Sequence, residues 1–129
     1  MILIVDDKPE NIFSLKKLLE LNGFEVDSAL SGEEALKKIL KGRDALIILD
    51  VQMPGMDGVE LARHIRAWAG RRPMTLVAVT GLDDDRTRLR TANAGFDLHF
   101  TKPADPDKLA ILLADIVIRQ NQSSDSTER

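Results

Sequence analysis

The chain has 129 residues, 43% of them hydrophobic, and contains no cysteine. This length and composition suit one domain with its own core, and they exclude disulfides, thiolate metal sites and cysteine nucleophiles. The net charge is −3 and no basic stripe stands out, which argues against direct binding of nucleic acid. No apolar run approaches the roughly 18 residues of a membrane span, and no basic region precedes the N-terminal apolar run as in a signal peptide. We therefore expect a cytoplasmic chain that makes no membrane contact.

Short apolar runs alternate with helical patterns along the chain, which predicts strands that alternate with helices. The five predicted strands are Ile2 to Val5, Phe24 to Ser28, Ala45 to Leu49, Leu76 to Val79 and Phe96 to Phe100. The five predicted helices start near Pro9, Ser31, Asp57, Asp83 and Asp105, and Gly23, Gly42 and Gly95 end the first, second and fourth. Ser31 and Glu34 have the spacing of a capping box, in which a hydroxyl and a carboxylate satisfy backbone N–H groups at a helix start.

This alternation predicts βαβ units with right-handed crossovers and a parallel sheet covered on both faces. The first, third and fourth strands are continuously apolar, as expected of central strands that are buried on both sides. We predict one α/β domain over residues 1–119 and a polar C-terminal tail over residues 120–129. Open parallel sheets bind ligands beyond the carboxyl ends of their strands, so the residues that follow the strands should carry the chemistry.

Polar side chains follow four of the five strands. They are Asp6 and Asp7 after the first strand, Asp50 after the third, Thr80 after the fourth and Lys102 after the fifth. Three neighbouring carboxylates repel one another unless they are protonated or share a hard divalent cation, and Mg²⁺ prefers such oxygen ligands. No His–Ser or His–Cys pair accompanies them, which disfavours acyl transfer. A carboxylate nucleophile, a metal, a cation and a hydroxyl donor together favour phosphoryl transfer.

Each of these residues, taken alone, also has a simpler structural interpretation. A single Asp after a strand is commonly a turn residue, and Asp6 and Asp7 are suitable caps for the first helix. Thr80 alone is an ordinary strand-end hydroxyl, and Lys102 alone is a solvated surface charge. The functional interpretation depends on the coincidence of all of them at consecutive strand ends.

At these residues the chain resembles the receiver domains of two-component response regulators. The resemblance runs from about Ile2 to Val117 and rests on the motifs LIVDD, LDVQMPGMDG, VAVTG and FTKP. It implies a flavodoxin-like, three-layer αβα fold with five parallel strands in the order 2-1-3-4-5. The stretches DDKPENI and GFDLHFTKP are most similar to receivers that are attached to hybrid sensor kinases.

The resemblance also implies a role for each site residue. Asp50 would accept a phosphoryl group from a phosphohistidine on a histidine kinase or a histidine phosphotransfer protein, and Thr80 and Lys102 would contact the phosphoryl oxygens. The implied ligands of Mg²⁺ are Asp7, Asp50, the backbone carbonyl of Gln52 and, through a metal-bound water, Asp6. Such a domain is a phosphoacceptor that promotes its own phosphorylation and dephosphorylation and is not otherwise an enzyme. We expect it to be a monomer or a weak dimer.

One position departs from the family's pattern. Many receivers carry Tyr or Phe three residues before the lysine, and this aromatic ring swings inward when the threonine moves; here the residue is His99. Phe100 should point to the opposite face of the strand and cannot substitute for it. Because burial of a His ring costs free energy unless its nitrogens find partners, we predict an incomplete switch in which His99 stays partly exposed.

Three other functions on this fold fit the residues less well. A Mg²⁺-dependent phosphohydrolase that forms an aspartyl-phosphate typically needs a second acid two residues after the nucleophile, where this chain has Gln52. A flavin-binding module needs phosphate donors after the first strand, where Asp6 and Asp7 would repel a phosphate. A receiver-like scaffold that no longer reacts would normally have lost its acidic residues, and here the set is complete.

Lysine and arginine are unevenly distributed along the chain. There are six lysines and no arginine up to Gly42, and ten arginines and two lysines from Arg43 onward. Chance or local surface chemistry explains this shift, or else the chain joins two parent sequences near residues 42–50, as an engineered chimera of two receiver domains would.

Overall fold

A computed structural model of the chain describes residues 1–42, 44–51, 57–70, 72–81, 85–101, 107–109 and 111–115. Its elements alternate as the sequence predicts. In chain order they are β1 (Ile2–Val5), α1 (Pro9–Leu21), β2 (Val26–Ala29), α2 (Gly32–Ile39), β3 (Leu46–Asp50), α3 (Gly58–Ala69), β4 (Thr75–Thr80), α4 (Asp85–Ala94) and β5 (Leu98–Thr101). Residues 107–109 and 111–115 are helical and follow β5. No helix within these described ranges is long and apolar enough to cross a membrane.

The five strands form one parallel sheet in the order β2-β1-β3-β4-β5, as predicted. The chain runs from β1 to β2 on one side and then returns to place β3 on the other side of β1. The direction of the strand order therefore reverses between β1 and β3. In open sheets of this kind, that reversal opens a crevice at the carboxyl ends of the two strands, where ligands bind.

The core lies in two apolar layers, one on each face of the sheet. Residues of α2, α3 and α4 cover one face, and α1 together with the C-terminal helical residues covers the other, which confirms the three-layer architecture. The fully buried side chains include Leu3, Leu19, Ile47, Leu49, Leu61, Ile65, Leu76 and Leu113. Each contributes roughly 1.5–3 kcal/mol relative to an exposed position, so both layers hold the strand ends firmly in place.

Local sequence signals fix the helix ends. Pro9 occupies the first position of α1, and the Asp57 carboxylate accepts the Val59 N–H at 2.9 Å to cap α3. The Ser31 hydroxyl accepts the Glu34 N–H at 3.1 Å, as in a capping box. The reciprocal bond differs from the expected one, because the Glu34 carboxylate accepts the N–H of Leu30, at 3.1 Å, and not that of Ser31.

The second and fifth strands begin two residues later than predicted. Phe24 still closes the turn that ends α1, because its N–H donates to the Leu19 carbonyl at 3.2 Å. Phe96 likewise belongs to the turn after α4, since its N–H donates to the Thr91 carbonyl at 3.2 Å. Asp97 then pairs with Leu76 through both its backbone and its carboxylate before β5 begins.

Two other strands extend beyond the predicted apolar runs. β4 takes in a threonine at each end, and β3 includes Asp50 as its last residue, paired with Val79 in β4. The predicted starts of the last two helices at Asp83 and Asp105 and the tail over residues 120–129 lie outside the described residues.

Candidate functional site

Three carboxylates meet at the carboxyl edge of the sheet, between β1 and β3. One oxygen each of Asp6, Asp7 and Asp50 lies within 4.8 Å of the other two. The sheet produces this convergence, because β1 and β3 pair Val5 with Leu49, and Asp6 and Asp50 are the next residues along each chain segment. Asp50 is 4% exposed and Asp6 is 7% exposed, whereas Asp7 is half-buried at the mouth of the crevice. The structure thus brings together the three acids that the sequence places at the strand ends.

This cluster fits a hard divalent cation. Two unit charges about 4 Å apart near a protein surface repel by about 4 kcal/mol, so three ionised carboxylates at this spacing oppose one another strongly. Mg²⁺ turns this repulsion into attraction, and it accepts a small number of carboxylate ligands while it keeps several waters. The donor set is all oxygen and lacks His and Cys, which suits Mg²⁺ better than a transition metal.

Asp6 is held by two N–H groups from the start of α1. The backbone N–H of Lys8 donates to Asp6 Oδ1 at 3.0 Å, and Asn11 Nδ2 donates to Asp6 Oδ2 at 3.2 Å. Asn11 was not among the site residues predicted from the sequence. The signal was present in the stretch DDKPEN, where an amide side chain in the first turn of a helix follows the acidic pair.

Thr80 is the last residue of β4 and is fully buried, with 0% exposure. It lies at the same edge of the sheet as Asp50, because β3 pairs Asp50 with Val79, the residue before Thr80. On its other side Thr80 pairs with Thr101 in β5. Its hydroxyl is therefore a donor at the strand end next to Asp50. Gln52 and Lys102, the other two predicted site residues, lie outside the described residues.

His99 lies in β5 and is half-buried. Its Nδ1 is 3.1 Å from the hydroxyl oxygen of Thr91 in α4, a contact that was not predicted from the sequence. Phe100 packs into the core layer on the α1 side, whereas His99 contacts α4 on the opposite side of the sheet. The predicted alternation of these two side chains is therefore confirmed.

A second link joins α4 to the segment after β3. Arg90 of α4 lies 3.4 Å from Asp57 Oδ2, while Oδ1 of the same carboxylate caps α3. Both side chains are largely exposed, so the ion pair itself adds little to stability, in the range of 0–1 kcal/mol. Its position matters more, because it connects α4 with the residue that caps α3.

Comparison with known proteins gives one consistent family. The sequence model of the family described as "Response regulator receiver domain" matches residues 2–114. The transcriptional regulatory protein ResD of Bacillus subtilis is 32% identical over 123 residues, which cover 95% of this chain and 50% of ResD. The sensor protein GacS of Pseudomonas syringae is 35% identical over 112 residues, which cover 84% of this chain and 12% of GacS. The chain thus spans about half the length of the regulator and a small part of the sensor protein.

Solved structures agree with this result. A CheY-like response regulator receiver domain protein from Methanospirillum hungatei superposes with a TM-score of 0.86 at 32% identity, covering 95% of this chain and 96% of that one. The response regulator TrrA of Thermotoga maritima, solved in complex with Mg(2+)-BeF, superposes with a TM-score of 0.77 at 36% identity, covering 89% of this chain and 96% of that one. The similarity covers nearly the whole length of both structures.

Proposed function

The chain belongs to the receiver domain family of two-component response regulators, and from this premise we propose that Asp50 is the phosphoacceptor of a Mg²⁺-dependent signalling switch. The observation that carries the proposal is the convergence of Asp6, Asp7 and Asp50 within 4.8 Å. Among the three, Asp50 ends the central strand β3 at the floor of the crevice. Both oxygens of Asp6 accept N–H bonds, one from the residue that precedes α1 and one from its first turn, which suits a residue that orients the site.

The proposed donor is a phosphohistidine of a histidine kinase or a histidine phosphotransfer protein. An Asp50 carboxylate oxygen forms a bond to phosphorus while the N–P bond of the phosphohistidine breaks. The electron pair of that bond stays on the imidazole nitrogen, which takes up a proton. Bound Mg²⁺ supplies positive charge to the acids and to the phosphoryl oxygens.

The other site residues have supporting roles in this proposal. Thr80 donates its hydroxyl to a phosphoryl oxygen, which is a strong acceptor. Lys102 supplies a further positive charge, and the Gln52 carbonyl completes the protein ligands of the metal. TrrA, the Thermotoga maritima relative, was solved with Mg(2+)-BeF, which supports Mg²⁺ as the ion for the equivalent acids here. The similarity to GacS, a sensor protein, supports a kinase as the partner in the transfer.

Hydrolysis of the phosphorylated state belongs to the same switch and is not a separate function. A dedicated phosphohydrolase would need a second acid at position 52, and this position is Gln52. We therefore propose that the domain promotes hydrolysis of its own aspartyl-phosphate and does not hydrolyse free phosphate esters.

The test is incubation with Mg²⁺ and acetyl phosphate, followed by intact-mass measurement. The wild-type chain should gain one phosphoryl group in the presence of Mg²⁺, and Asp50→Asn should gain none. Glu33→Gln is a matched control, because it also removes one carboxylate, at an exposed position in α2. Full phosphorylation of Asp50→Asn would assign the acceptor to another residue.

A further inference from the structure

The Asp6 carboxylate is connected to the first turn of α1 through a side chain that no part of the proposed transfer uses. Asn11 Nδ2 donates to Asp6 Oδ2 at 3.2 Å, and the Lys8 N–H donates to Oδ1 at 3.0 Å. We propose that Asn11 is a positioning residue of the magnesium site, which fixes the orientation of the Asp6 carboxylate toward the cation and its waters. This inference rests on the proposed function, because it assumes that the acidic cluster binds Mg²⁺.

The chemistry of an amide suits this position. A carboxylate offers about four lone-pair directions on its two oxygens. The two N–H groups occupy one lone-pair direction on each oxygen and restrict rotation of the carboxylate. The remaining lone pairs therefore keep a fixed orientation toward the metal site. Asn11 achieves this with a neutral donor. A lysine here would bring a positive charge next to the cation, and an aspartate would add a fourth negative charge and remove the donor.

The position of Asn11 is itself well defined. Its backbone N–H donates to the Lys8 carbonyl at 3.1 Å within the first turn of α1, and Pro9 restricts the backbone at the start of that turn. The next residue, Ile12, is buried in the core layer between α1 and the sheet. The amide is thus presented by a helix that packs on the sheet and not by a loop, which gives a supporting residue the precision that a metal site needs.

A purely structural role would give different results. If the Asn11–Asp6 bond served only to fasten the start of α1, its loss would lower stability equally with and without metal. If Asn11 positions Asp6 for the cation, its loss must weaken Mg²⁺ binding as well. Removal of groups that support metal ligands typically lowers metal affinity by 10- to 100-fold. We expect the low end here, roughly tenfold, because Mg²⁺ keeps several of its waters and depends less on any one protein group.

The experiment compares Mg²⁺ titrations of the full chain and three variants, followed by amide NMR shifts of residues around Asp6, Asp7 and Asp50. Asn11→Ala removes the donor, and Asn11→Leu removes it while it keeps the approximate size of the side chain. Asn22→Ala is the matched control, because Asn22 Nδ2 makes a bond of similar kind, to the Leu18 carbonyl at 2.8 Å, at the other end of the same helix. Both Asn11 variants should bind Mg²⁺ roughly tenfold more weakly than wild type, and Asn22→Ala should bind it equally well.

Phosphorylation by acetyl phosphate provides a second readout. Asn11→Ala should lag behind wild type at low Mg²⁺ and reach the wild-type rate when Mg²⁺ saturates the site, since the residue positions the metal and does not touch the phosphoryl group. Unchanged Mg²⁺ affinity in both Asn11 variants, with only the metal-free melting temperature lowered, would overturn the inference and leave the proposed function intact. Absence of Mg²⁺ binding by the wild-type chain would overturn both together.

Discussion

His99 Nδ1 lies 3.1 Å from the hydroxyl oxygen of Thr91, so the residue at the aromatic position of the family is linked to α4. Thr91 is 1% exposed, and its hydroxyl oxygen also lies 3.0 Å from the carbonyl oxygen of Arg88, three residues earlier in α4. A hydroxyl has one proton to donate. Because the carbonyl of Arg88 can only accept, we expect that proton to take part in the Thr91–Arg88 bond and the imidazole to donate from Nδ1.

The first prediction concerns this proton. In the neutral state His99 should carry its hydrogen on Nδ1, and Thr91→Val should remove the acceptor and shift the ring toward the Nε2–H tautomer. The loss of a hydrogen bond to a half-buried ring should lower the free energy of unfolding by about 1 kcal/mol. Ring ¹⁵N chemical shifts report the tautomer directly, and urea unfolding reports the stability. A wild-type ring already protonated on Nε2 alone would contradict this assignment.

The second prediction concerns activation. Phosphorylation of Asp50 should attract the Thr80 hydroxyl, and in many receivers an aromatic side chain then fills the vacated space. His99 must first break its bond to Thr91 before it can move inward, so we expect little movement of the ring. With Mg²⁺ and beryllofluoride, the His99 ring signals should change little in the wild-type chain and more in Thr91→Val. Loss of the Nδ1–H signal on activation, together with a large shift at Thr80, would show that His99 does swing inward.

The sequence predicts which strands carry the acidic site, because runs of apolar residues that end on an acid are visible in the sequence itself. The apolar runs that became β1 and β3 have no polar interruption, and each is followed at once by an acid, so the convergence of Asp6 and Asp50 follows from parallel pairing alone. The apolar pattern could not predict that Asp50 belongs to β3. Asp50 is part of the strand because it pairs with Val79 in β4.

The contacts that were not predicted from the sequence depend on how separate elements pack against each other. Thr91 and His99 are separated by the turn after α4, and only the packing of α4 against β5 brings their side chains together. Phe96 was predicted to be the first residue of the fifth strand. In the structure it fills the core from a turn, because the Asp97 carboxylate accepts the Leu76 N–H at 2.8 Å and holds the chain there.

The third prediction concerns the charge in the acidic cluster. In metal-free buffer Asp50→Asn should raise the free energy of unfolding, by an amount on the order of 1 kcal/mol, because it removes one of three mutually repelling charges. With Mg²⁺ the order should reverse. A ligand at 100 times its dissociation constant stabilises a fold by about 2.7 kcal/mol, and the variant lacks one of the carboxylates that bind it. Melting curves at fixed ionic strength, with and without Mg²⁺, give both comparisons. If the melting temperature of the wild-type chain does not change with Mg²⁺, the metal has no place in the proposed mechanism.

Asp44, at the opposite edge of the sheet, presents a different electrostatic case. It is 9% exposed, and its Oδ1 is buried with no hydrogen-bond partner among the described residues. Burial raises the pKa of this carboxyl above its ordinary value of 3.8; the amino terminus of Met1 and Lys38 oppose the rise, and Asp27 adds to it. Asp27 itself shows the reverse: burial disfavours its charge, yet its hydrogen bond to Lys38, at 3.0 Å, lowers its pKa.

The last prediction follows from the raised pKa of Asp44 in the folded state. Because its pKa is higher in the folded state than in the unfolded state, Asp44 contributes stability that is fully present below pH 3.8 and is lost as the pH rises through the folded-state pKa. At pH 7 the buried charge of Asp44 therefore destabilises the folded state. Asp44→Asn should raise the free energy of unfolding by an amount on the order of 1 kcal/mol. Urea unfolding measured from below pH 3.8 up to pH 7 should show the gain growing with pH, whereas Glu33→Gln, an exposed acid replaced in the same way, should show almost none. A gain that stays constant across this range would mean that the charge of Asp44 is not its cause.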